Sequence, residues 1–437
     1  MASRNLNQSE STTEPLRQRI VNLIETITTS CTRGRHHQSR LDEIDPKIVV
    51  SGTRGKSSLT QWLYEILQSR DYNTFAKITG NRPVTEHGGE TYDIKRGNRV
   101  TLYENERELR KHTPEDAMVV ENQAISSYTT RMVNQSFTDA RVVVLSNVRE
   151  DHLSTLGSDR YQVARGLVRA IPAGTHVVNA ERDLHLRSYL EEEIHRRGAT
   201  VSHVTVPEEY ESIPGIESIY ALNHVLAAIG EAPLTEDSLE AYRDEMRVEW
   251  TDLPNGKVYN AAEVNDVQST EMVRQALLGE NEATEETPVT PFLYLRGDRR
   301  GRTVSFLHYL NELYEENERA FETVHVGGET TEVFKRKAQF PVEIHNTDVE
   351  SAGEVLDALL ETGYPAFLMG NTVAEFMREF ETEIDRRESI TQLDVQSQQT
   401  VGDTATTITD GGYPREELPG PPVPSPQAEN KSDPDGE

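Results

Sequence analysis

The chain has 437 residues, of which 27% are charged and 35% hydrophobic, and its 74 acidic residues outnumber 45 basic ones to give a formal net charge of −29. No apolar run approaches the roughly 18 residues that a membrane-spanning helix needs, and one cysteine, Cys31, excludes disulfides within the chain and cysteine-rich metal sites. The acidic excess argues against general nucleic-acid binding. We expect a cytoplasmic protein without direct membrane insertion, and the dispersed acids favour a salt-loving host.

Strand and helix patterns alternate from Lys47 onward, after a polar segment, residues 1–40, with one amphipathic stretch. Short apolar runs predict strands at Ile48–Val50, Ala117–Val120, Arg141–Leu145 and His176–Val178. Helical spacing follows at Leu59–Gln68, Tyr161–Ala170 and Leu184–Arg196. Repeated strand–helix units of this kind indicate an α/β fold whose parallel sheet is covered on both faces.

A second strand–helix series begins after a turn-rich segment, Arg247–Gly256, which is typical of a linker. Its predicted strands are Val258–Glu263, Phe292–Leu295, Thr323–Val326, Val342–His345 and Ala366–Met369. Its predicted helices are Ser269–Leu278, Thr303–Glu315, Ala352–Glu361 and Thr372–Ile384. The expected domains are residues 41–248 and 256–390. After them, residues 392–437 are rich in Gln, Thr, Gly and Pro, which predicts a disordered tail.

The strongest chemical signal is Ile48–Thr60, Ile-Val-Val-Ser-Gly-Thr-Arg-Gly-Lys-Ser-Ser-Leu-Thr, which passes from a strand through a glycine turn into a helix. Gly52 and Gly55 would let backbone N–H groups approach a phosphate, while Lys56 would supply a positive charge and Ser57 a hydroxyl for Mg²⁺. The general P-loop has a further glycine where this chain has valine. A chance Gly-Lys-Ser turn is the alternative, but strand, loop and helix together favour phosphate binding.

Polar residues also follow two other predicted strands of the first series. Glu121 ends one strand, and Asn147, Asp151 and His152 follow the next. Because the carboxyl ends of parallel strands meet at one edge, a carboxylate there would lie beside the phosphate loop and could hold Mg²⁺. An ordinary polar strand end, and an Asp-His capping pair, are the alternatives for these residues.

Taken in order, these segments resemble the ATPase domain of the Mur ligase superfamily, and within it the capsule-type poly-γ-glutamate synthase ligase subunit. Three later segments resemble the same branch. Asn260–Thr270 resembles its Asn-Asp-…-Ser-Thr segment, Leu295–Arg302 resembles its Arg-x-Asp-Arg-x-x-Arg motif, and Met369–Val373 resembles its late Gly-Asn segment. The resemblance covers roughly residues 40–385. It implies a P-loop ATPase domain with a parallel-type central sheet, followed by a smaller Rossmann-like α/β domain.

The resemblance also implies roles for particular residues. Catalytic roles would fall to Lys56, His152 and Arg299, and Mg²⁺, with two ions expected, would be held by Ser57, Glu121 and His152. The residues implied in ATP binding are Gly52, Thr53, Arg54, Gly55, Lys56, Ser57, Ser58, Asn223, Asp266 and Arg296. Asp298 and Arg302 would face the same cleft, where planar guanidinium groups suit carboxylates and phosphates. A solvated loop in an arginine-rich protein is the alternative for the arginines.

Two features depart from the peptidoglycan ligases of the superfamily. Those enzymes place a modified lysine about a dozen residues beyond the Asp-His pair, where this chain offers Arg165, which cannot be carbamylated. Only some 40 residues precede the phosphate loop, so we expect no domain for a UDP-sugar. Both departures favour the poly-γ-glutamate branch.

Together these residues favour an ATP-dependent acid–amine ligase that forms an amide through an acyl phosphate. The resemblance, not the spacing, identifies glutamate and a growing γ-linked polyglutamate chain as substrates, and it implies small membrane subunits of a synthase complex that would bring the chain to the membrane. The alternatives are a Mur-like ligase for another amino acid and acceptor, and a P-loop regulatory NTPase. Whether the chain forms a homo-oligomer stays open.

Overall fold

The structure, a computed structural model, describes residues 32–406 apart from residues 81, 97–99, 113–115, 124–125, 150–158, 263, 265, 280–287, 317–319 and 371–373. The predictions made for Asp151 and His152 therefore lie outside the described residues. The same holds for residues 1–31 and 407–437.

Two β-sheets organise the two domains. The first contains Lys47–Ser51 (β1), Thr74–Ile78 (β2), Val84–His87 (β3), Glu90–Asp93 (β4), Ala117–Glu121 (β5), Val142–Leu145 (β6), His176–Asn179 (β7) and Thr200–His203 (β8). The second contains Thr251–Leu253 (β9), Gly256–Asn260 (β10), Thr290–Leu295 (β11), Val324–Gly328 (β12), Val342–Ile344 (β13) and Ala366–Met369 (β14). Their spatial orders are β4-β3-β2-β5-β1-β6-β7-β8 and β13-β12-β11-β14-β10-β9. The β2–β3, β3–β4 and β9–β10 pairs are antiparallel, and the other pairs among the described strands are parallel.

The helices cover the faces of these sheets. In chain order they are residues 32–41 (α1), Lys56–Ser69 (α2), Tyr103–Leu109 (α3), Ser127–Met132 (α4), Arg160–Val168 (α5), Leu184–Arg196 (α6), Glu217–Ile229 (α7), Glu236–Glu245 (α8), Val267–Gly279 (α9), Arg300–Glu316 (α10), Thr331–Lys337 (α11), Ala352–Leu360 (α12) and Glu375–Thr406 (α13). A π-helical turn, Val133–Phe137, and two 3₁₀ turns, Glu208–Tyr210 and Gly297–Arg299, complete the described helical structure. Within the part of the chain that is described, no helix combines the length and apolarity needed to cross a bilayer.

Strand β1 shows how the first core is built. Successive side chains of a strand point to opposite faces, so Ile48 and Val50 pack on one side of the sheet and Val49 on the other. The first side is covered by α2 and α7, and the second by α5 and α6. The parallel neighbours β5 and β6 flank β1, so their carboxyl ends and the loop after β1 meet at one edge of the sheet.

The expected α/β fold of two domains with mostly parallel sheets is confirmed. The sequence interpretation did not predict β2, β3, β4 and β8, and it differs from the structure at two further points. The segment interpreted as a linker contains β9, which pairs antiparallel with β10 at the edge of the second sheet. Helix α13 runs to Thr406, past the point where the tail was expected to begin, because neither glycine nor proline interrupts residues 375–401. The exact domain bounds stay a prediction.

Candidate functional site

The loop between β1 and α2 depends on its two glycines for close packing. Gly52 has a φ of +118°, and a Cβ there would lie 2.3 Å from the Ser146 Oγ and 2.9 Å from the Ser146 backbone nitrogen. Gly55 has a φ of +75°, and its Cβ would lie 2.7 Å from the Ser218 Oγ. Both positions lie in the left-handed region that favours glycine. The glycines thus seat this phosphate loop against β6 and α7.

Buried polar groups fasten the phosphate loop in this position. The Thr53 backbone nitrogen donates to the Asn147 carbonyl at 3.0 Å, and the Arg54 backbone nitrogen donates to the Asn147 Oδ1 at 2.9 Å. The Asn147 amide in turn donates to Glu217 Oε1 at 3.1 Å, and both residues are buried. The Arg149 backbone nitrogen donates to the Thr53 Oγ1 at 3.0 Å. Because each contact comes from an element distant in sequence, the loop conformation is set by the folded domain.

The lysine and one serine of the loop each contact an oxygen atom of the first domain. Lys56 Nζ donates to the Thr53 carbonyl at 2.9 Å, which holds its charge over the loop. Ser57 Oγ donates to Glu121 Oε2 at 3.0 Å, and the same carboxylate oxygen accepts from the Thr79 backbone nitrogen at 2.6 Å. A hydroxyl and a carboxylate at this separation are the oxygen ligands that Mg²⁺ prefers. The residues present therefore fit a magnesium ion beside the phosphate loop.

A lysine that the sequence interpretation missed lies next to this carboxylate. Lys77, in the middle of β2, is fully buried, pairs with Glu104 Oε1 at 3.0 Å and donates to Gln123 Oε1. Arg96 also binds Glu104, at 2.9 Å. Burial lowers the pKa of Lys77 to about 8, against the opposing attraction of Glu104 and Glu121. The available signal was a lysine within the apolar run Thr-Phe-Ala-Lys-Ile, but no strand was predicted there.

A second missed residue, Glu181, supports the turn that carries Asn147. Its buried carboxylate accepts from the Val148 backbone nitrogen at 2.8 Å and from the Asp183 backbone nitrogen at 2.9 Å. Arg160 binds the same carboxylate at 3.1 Å and also donates to the Val148 carbonyl at 3.0 Å. The sequence offered only a polar residue after a strand, so no local signal distinguished it.

The second domain reaches the phosphate loop through an ion pair. Arg54 Nε donates to Asp266 Oδ2 at 2.7 Å, although 212 residues separate them. The other oxygen of Asp266 accepts from the Ser269 backbone nitrogen at 2.9 Å, which caps the start of α9. A cleft of about 610 Å³ is lined by Arg149 of the first domain and by Gln268 and Met272 of the second, among other residues. Asp266 thus contacts the phosphate loop from the second domain, and its expected role in ATP binding stays a prediction.

The arginine segment after β11 lies at the carboxyl end of its strand, as expected. Arg296 grips the Asp298 carboxylate with two hydrogen bonds, at 2.9 and 2.7 Å, and Arg299 Nε lies 3.8 Å from the same group. Hydrogen bonding from Arg296 lowers the pKa of Asp298. Arg302 donates to the Gly370 carbonyl at 3.4 Å. These contacts stay within the second domain.

Three other residues that the sequence interpretation singled out lie in the first domain. The Asn223 Oδ1 accepts from the Leu234 backbone nitrogen at 2.7 Å, so this amide fixes the loop after α7. Ser58 is exposed in the first turn of α2, and Arg165 is exposed on α5. Nothing in the described geometry tests their expected roles in ATP binding or in replacing a modified lysine.

Sequence comparisons match the two domains to two families. Residues 50–217 match the Mur ligase middle domain, and residues 248–394 match the poly-gamma-glutamate synthase CapB C-terminal domain. The PGA synthase CapB of Bacillus subtilis (strain 168) is 24% identical over 348 residues, 74% of this chain and 86% of that protein. The capsule biosynthesis protein CapB of Bacillus anthracis is 29% identical over 154 residues, 34% of this chain; the match spans 33% of that protein.

Two solved structures of folylpolyglutamate synthases are similar in fold to this chain. A folylpolyglutamate synthase of Mycobacterium tuberculosis, complexed with ADP and AMPPCP, has a TM-score of 0.57 at 15% identity, covering 84% of this chain and 98% of that one. A Yersinia pestis folylpolyglutamate synthase/dihydrofolate synthase with AMPPNP and Mn has a TM-score of 0.55 at 15% identity, covering 80% and 92%. At this identity the likeness shows the shared fold.

Proposed function

Because this chain is homologous to the CapB poly-gamma-glutamate synthases and contains a Mur ligase middle domain, we propose that it is an ATP-dependent acid–amine ligase that γ-links glutamate. The observation that carries the proposal is the preformed group of Lys56, Ser57 and Glu121 at the carboxyl edge of the first sheet. A second domain that contacts the same loop through Asp266 supports a reaction between two substrates in the cleft.

The first step proposed is phosphoryl transfer from ATP to a carboxylate. A substrate carboxylate oxygen attacks the γ-phosphorus, the bond to the β-phosphate oxygen breaks, and ADP leaves with an acyl phosphate formed. Lys56 and the start of α2 stabilise the negative charge that spreads over the phosphoryl oxygens. Mg²⁺ held by Ser57 and Glu121 would neutralise phosphate charge during this transfer. A second ion with His152 as a ligand stays part of the proposal.

The second step proposed is amide formation. The incoming amine attacks the acyl carbon, phosphate leaves, and the nitrogen loses a proton to give the γ-amide. A water molecule would compete with the amine for the acyl phosphate, so the cleft between the domains has to exclude water at this stage. The Arg54–Asp266 pair joins the phosphate loop to the second domain and so favours the closed arrangement.

The arginine segment is proposed to bind the acidic substrate. Arg296, Arg299 and Arg302 follow a parallel strand, and ligands of α/β proteins bind at that edge. Adenine carries no negative charge for guanidinium groups to meet, whereas glutamate, a polyglutamate chain and an acyl phosphate do. Asp298 occupies Arg296 in the described structure, so a substrate carboxylate would compete with it for the same donors. Arg299, which is half exposed, has more freedom to meet substrate.

Small membrane-embedded subunits of a synthase complex are proposed as partners on the basis of the resemblance to capsule-type ligases. The names of the two Bacillus relatives, which refer to capsule biosynthesis and PGA synthesis, support poly-γ-glutamate as the product, whereas the membrane subunits rest on the resemblance alone.

The test is phosphate release from ATP by the full-length protein, measured across a panel of amino acids with Mg²⁺ present. We expect glutamate to stimulate release more than the other amino acids, with a γ-glutamyl product detected by mass spectrometry. Lys56→Ala should abolish the stimulation, while Lys257→Ala, at an exposed lysine of β10, should not. Stimulation by a different amino acid would redirect the substrate assignment. Phosphate release at the same rate with and without every amino acid would support the NTPase alternative.

A further inference from the structure

A histidine cluster lies in the second domain at the edge formed by β12 and β13. His325 on β12 and Glu343 on β13 are register partners, so their side chains share one face of the sheet. His345 follows Glu343 by two residues and therefore joins the same face. Both histidines are almost completely buried, at 3% and 4% exposure, whereas Glu343 is 57% exposed. None of these residues takes part in the proposed ligase chemistry.

The protons of this cluster can be assigned from its hydrogen bonds. His345 Nδ1 lies 2.8 Å from Glu350 Oε2, and this contact lowers the pKa of Glu350. An ionised carboxylate only accepts, so the His345 Nδ1 carries the proton. In the neutral ring the Nε2 is then left with a lone pair, and it faces His325 Nδ1 at 2.9 Å.

The separations suit a small tetrahedral metal ion. His325 Nδ1, His345 Nε2 and a Glu343 carboxylate oxygen all lie within 4.8 Å of one another. Bonds of about 2.0–2.2 Å at a tetrahedral zinc ion place ligand atoms about 3.3–3.5 Å apart. The observed separations are 2.9 Å between the nitrogens and 3.9 Å from His325 Nδ1 to Glu343. Changes of about half an ångström would bring these two separations to that spacing, and the third separation, which is at most 4.8 Å, would have to shorten by no more than about 1.3 Å.

We propose that His325, His345 and Glu343 form a binding site for one divalent transition-metal ion of the zinc class. Two imidazoles and one carboxylate are ligands of that class, and the exposed side of Glu343 leaves a fourth position open to water. Glu350 orients His345 from its other nitrogen, which is the usual support for a metal-binding histidine. The ion replaces the proton shared by the two rings.

The effect of such an ion follows from its place in the sheet. β13 has three residues and lies at the edge of the sheet, so β12 is its one strand partner among the described strands. Ligands from both strands, and from the residue that starts the next loop, would be joined by one ion. The ion therefore acts as a clip that stabilises this edge, and magnesium, which prefers oxygen ligands, does not replace it.

The experiment uses the full-length protein after treatment with a chelator and its removal. The protein is then titrated with ZnCl₂, and metal analysis after gel filtration should show one zinc ion per chain. Calorimetry should show a higher midpoint of thermal unfolding with ZnCl₂ and no such shift with MgCl₂. Glu350→Gln leaves both histidine ligands in place and should weaken zinc binding roughly 10- to 100-fold. His345→Ala should abolish the site, and His308→Ala, at a histidine that is 74% exposed on α10, should leave it intact.

Two results would contradict the proposed metal site. Wild-type protein that retains no zinc would overturn the site and leave a hydrogen-bonded histidine pair. Zinc bound equally by wild type, Glu343→Gln and Glu350→Gln would place the ion elsewhere. The two glutamate variants keep the test decisive even where loss of His345 prevents folding.

Discussion

The phosphate loop and the arginine segment are both placed at the carboxyl ends of parallel strands, yet they are built differently. The loop is fixed by Asn147 and Glu217, which are 3% and 0% exposed, so its shape exists before any ligand arrives. In the arginine segment, Arg299 and Asp298 are 49% and 58% exposed. Its charges are paired internally and can exchange partners. A rigid phosphate loop and a more exposed arginine segment suit the proposed ligase, in which the loop binds nucleotide and the segment is proposed to bind the acidic substrate.

The rigid side of this comparison is tested most strongly at Lys56. Lys56→Ala removes the charge that the loop holds over the transferred phosphoryl group. Removal of a single preorganised electrostatic group of this kind costs on the order of 10²–10³ in rate. We expect a folded variant, judged by circular dichroism, whose ATP turnover falls by that factor, while Lys257→Ala retains the wild-type rate. Full turnover in a folded Lys56→Ala protein would remove the phosphate-loop assignment.

The role of the exposed arginine segment is tested at Arg299. Arg299→Ala should leave nucleotide affinity nearly unchanged and lower kcat/KM for glutamate roughly 10- to 100-fold, because a hydrogen bond to a charged group is worth about 1.5–3 kcal/mol. The loss should be largest at subsaturating glutamate. Arg336→Ala, at an exposed arginine of α11, is the matched control. If ATP affinity fell in parallel with turnover, the segment would serve the nucleotide instead.

The buried charge beside Glu121 gives a third test, on stability. Lys77→Met should lower the free energy of unfolding by about 1–3 kcal/mol, because Glu104 loses one partner but keeps Arg96. Lys95→Met, at an exposed lysine, serves as the control and should change little. Urea unfolding of both variants measures the difference. An unaltered midpoint for Lys77→Met would show that the ion pair contributes nothing.

The same variant has an expected pH dependence. In the folded protein Lys77 loses its proton near pH 8, whereas in the unfolded chain it keeps it until near its ordinary pKa of 10.5. The unfolded state then binds more protons between these values, so this group makes stability rise with pH across the window. Lys77→Met should remove that contribution, and its stability should rise less steeply than that of the wild type from about pH 8 to pH 9.5.

The ion pair that joins the two regions gives the smallest expected effect. Asp266→Asn keeps the oxygen that caps α9 but removes the charge opposite Arg54, and partly exposed pairs are worth about 1 kcal/mol or less. We expect ligation to slow about twofold to fivefold with nucleotide affinity unchanged. Asp252→Asn, in the exposed β9–β10 hairpin, is the control. A rate equal to wild type would show that this contact does not favour closure.

Much of the fold and part of the site could be predicted from the sequence. The phosphate loop carries its own signal, because glycine, lysine and serine stand at fixed spacing between a strand and a helix. The roles of Lys77, Glu181 and Glu217 could not be predicted, because each depends on partners far along the chain, such as Glu104, Val148 and Asn147. Spacing along the sequence predicts the role of a residue whose partners are its near neighbours in the chain. The role of a residue with distant partners is visible only in the folded structure.

The central claim, that a carboxylate is phosphorylated before the amide forms, is tested most directly by oxygen transfer. Glutamate labelled with ¹⁸O in its carboxyl groups is incubated with ATP, Mg²⁺ and the full-length protein, and the released phosphate is analysed by mass spectrometry. The ligase account predicts that each phosphate formed with the amide carries one ¹⁸O from the carboxylate, because the acyl C–O bond breaks when the amine attacks. Phosphate that contains only unlabelled oxygen would contradict it, since water would then have attacked ATP directly.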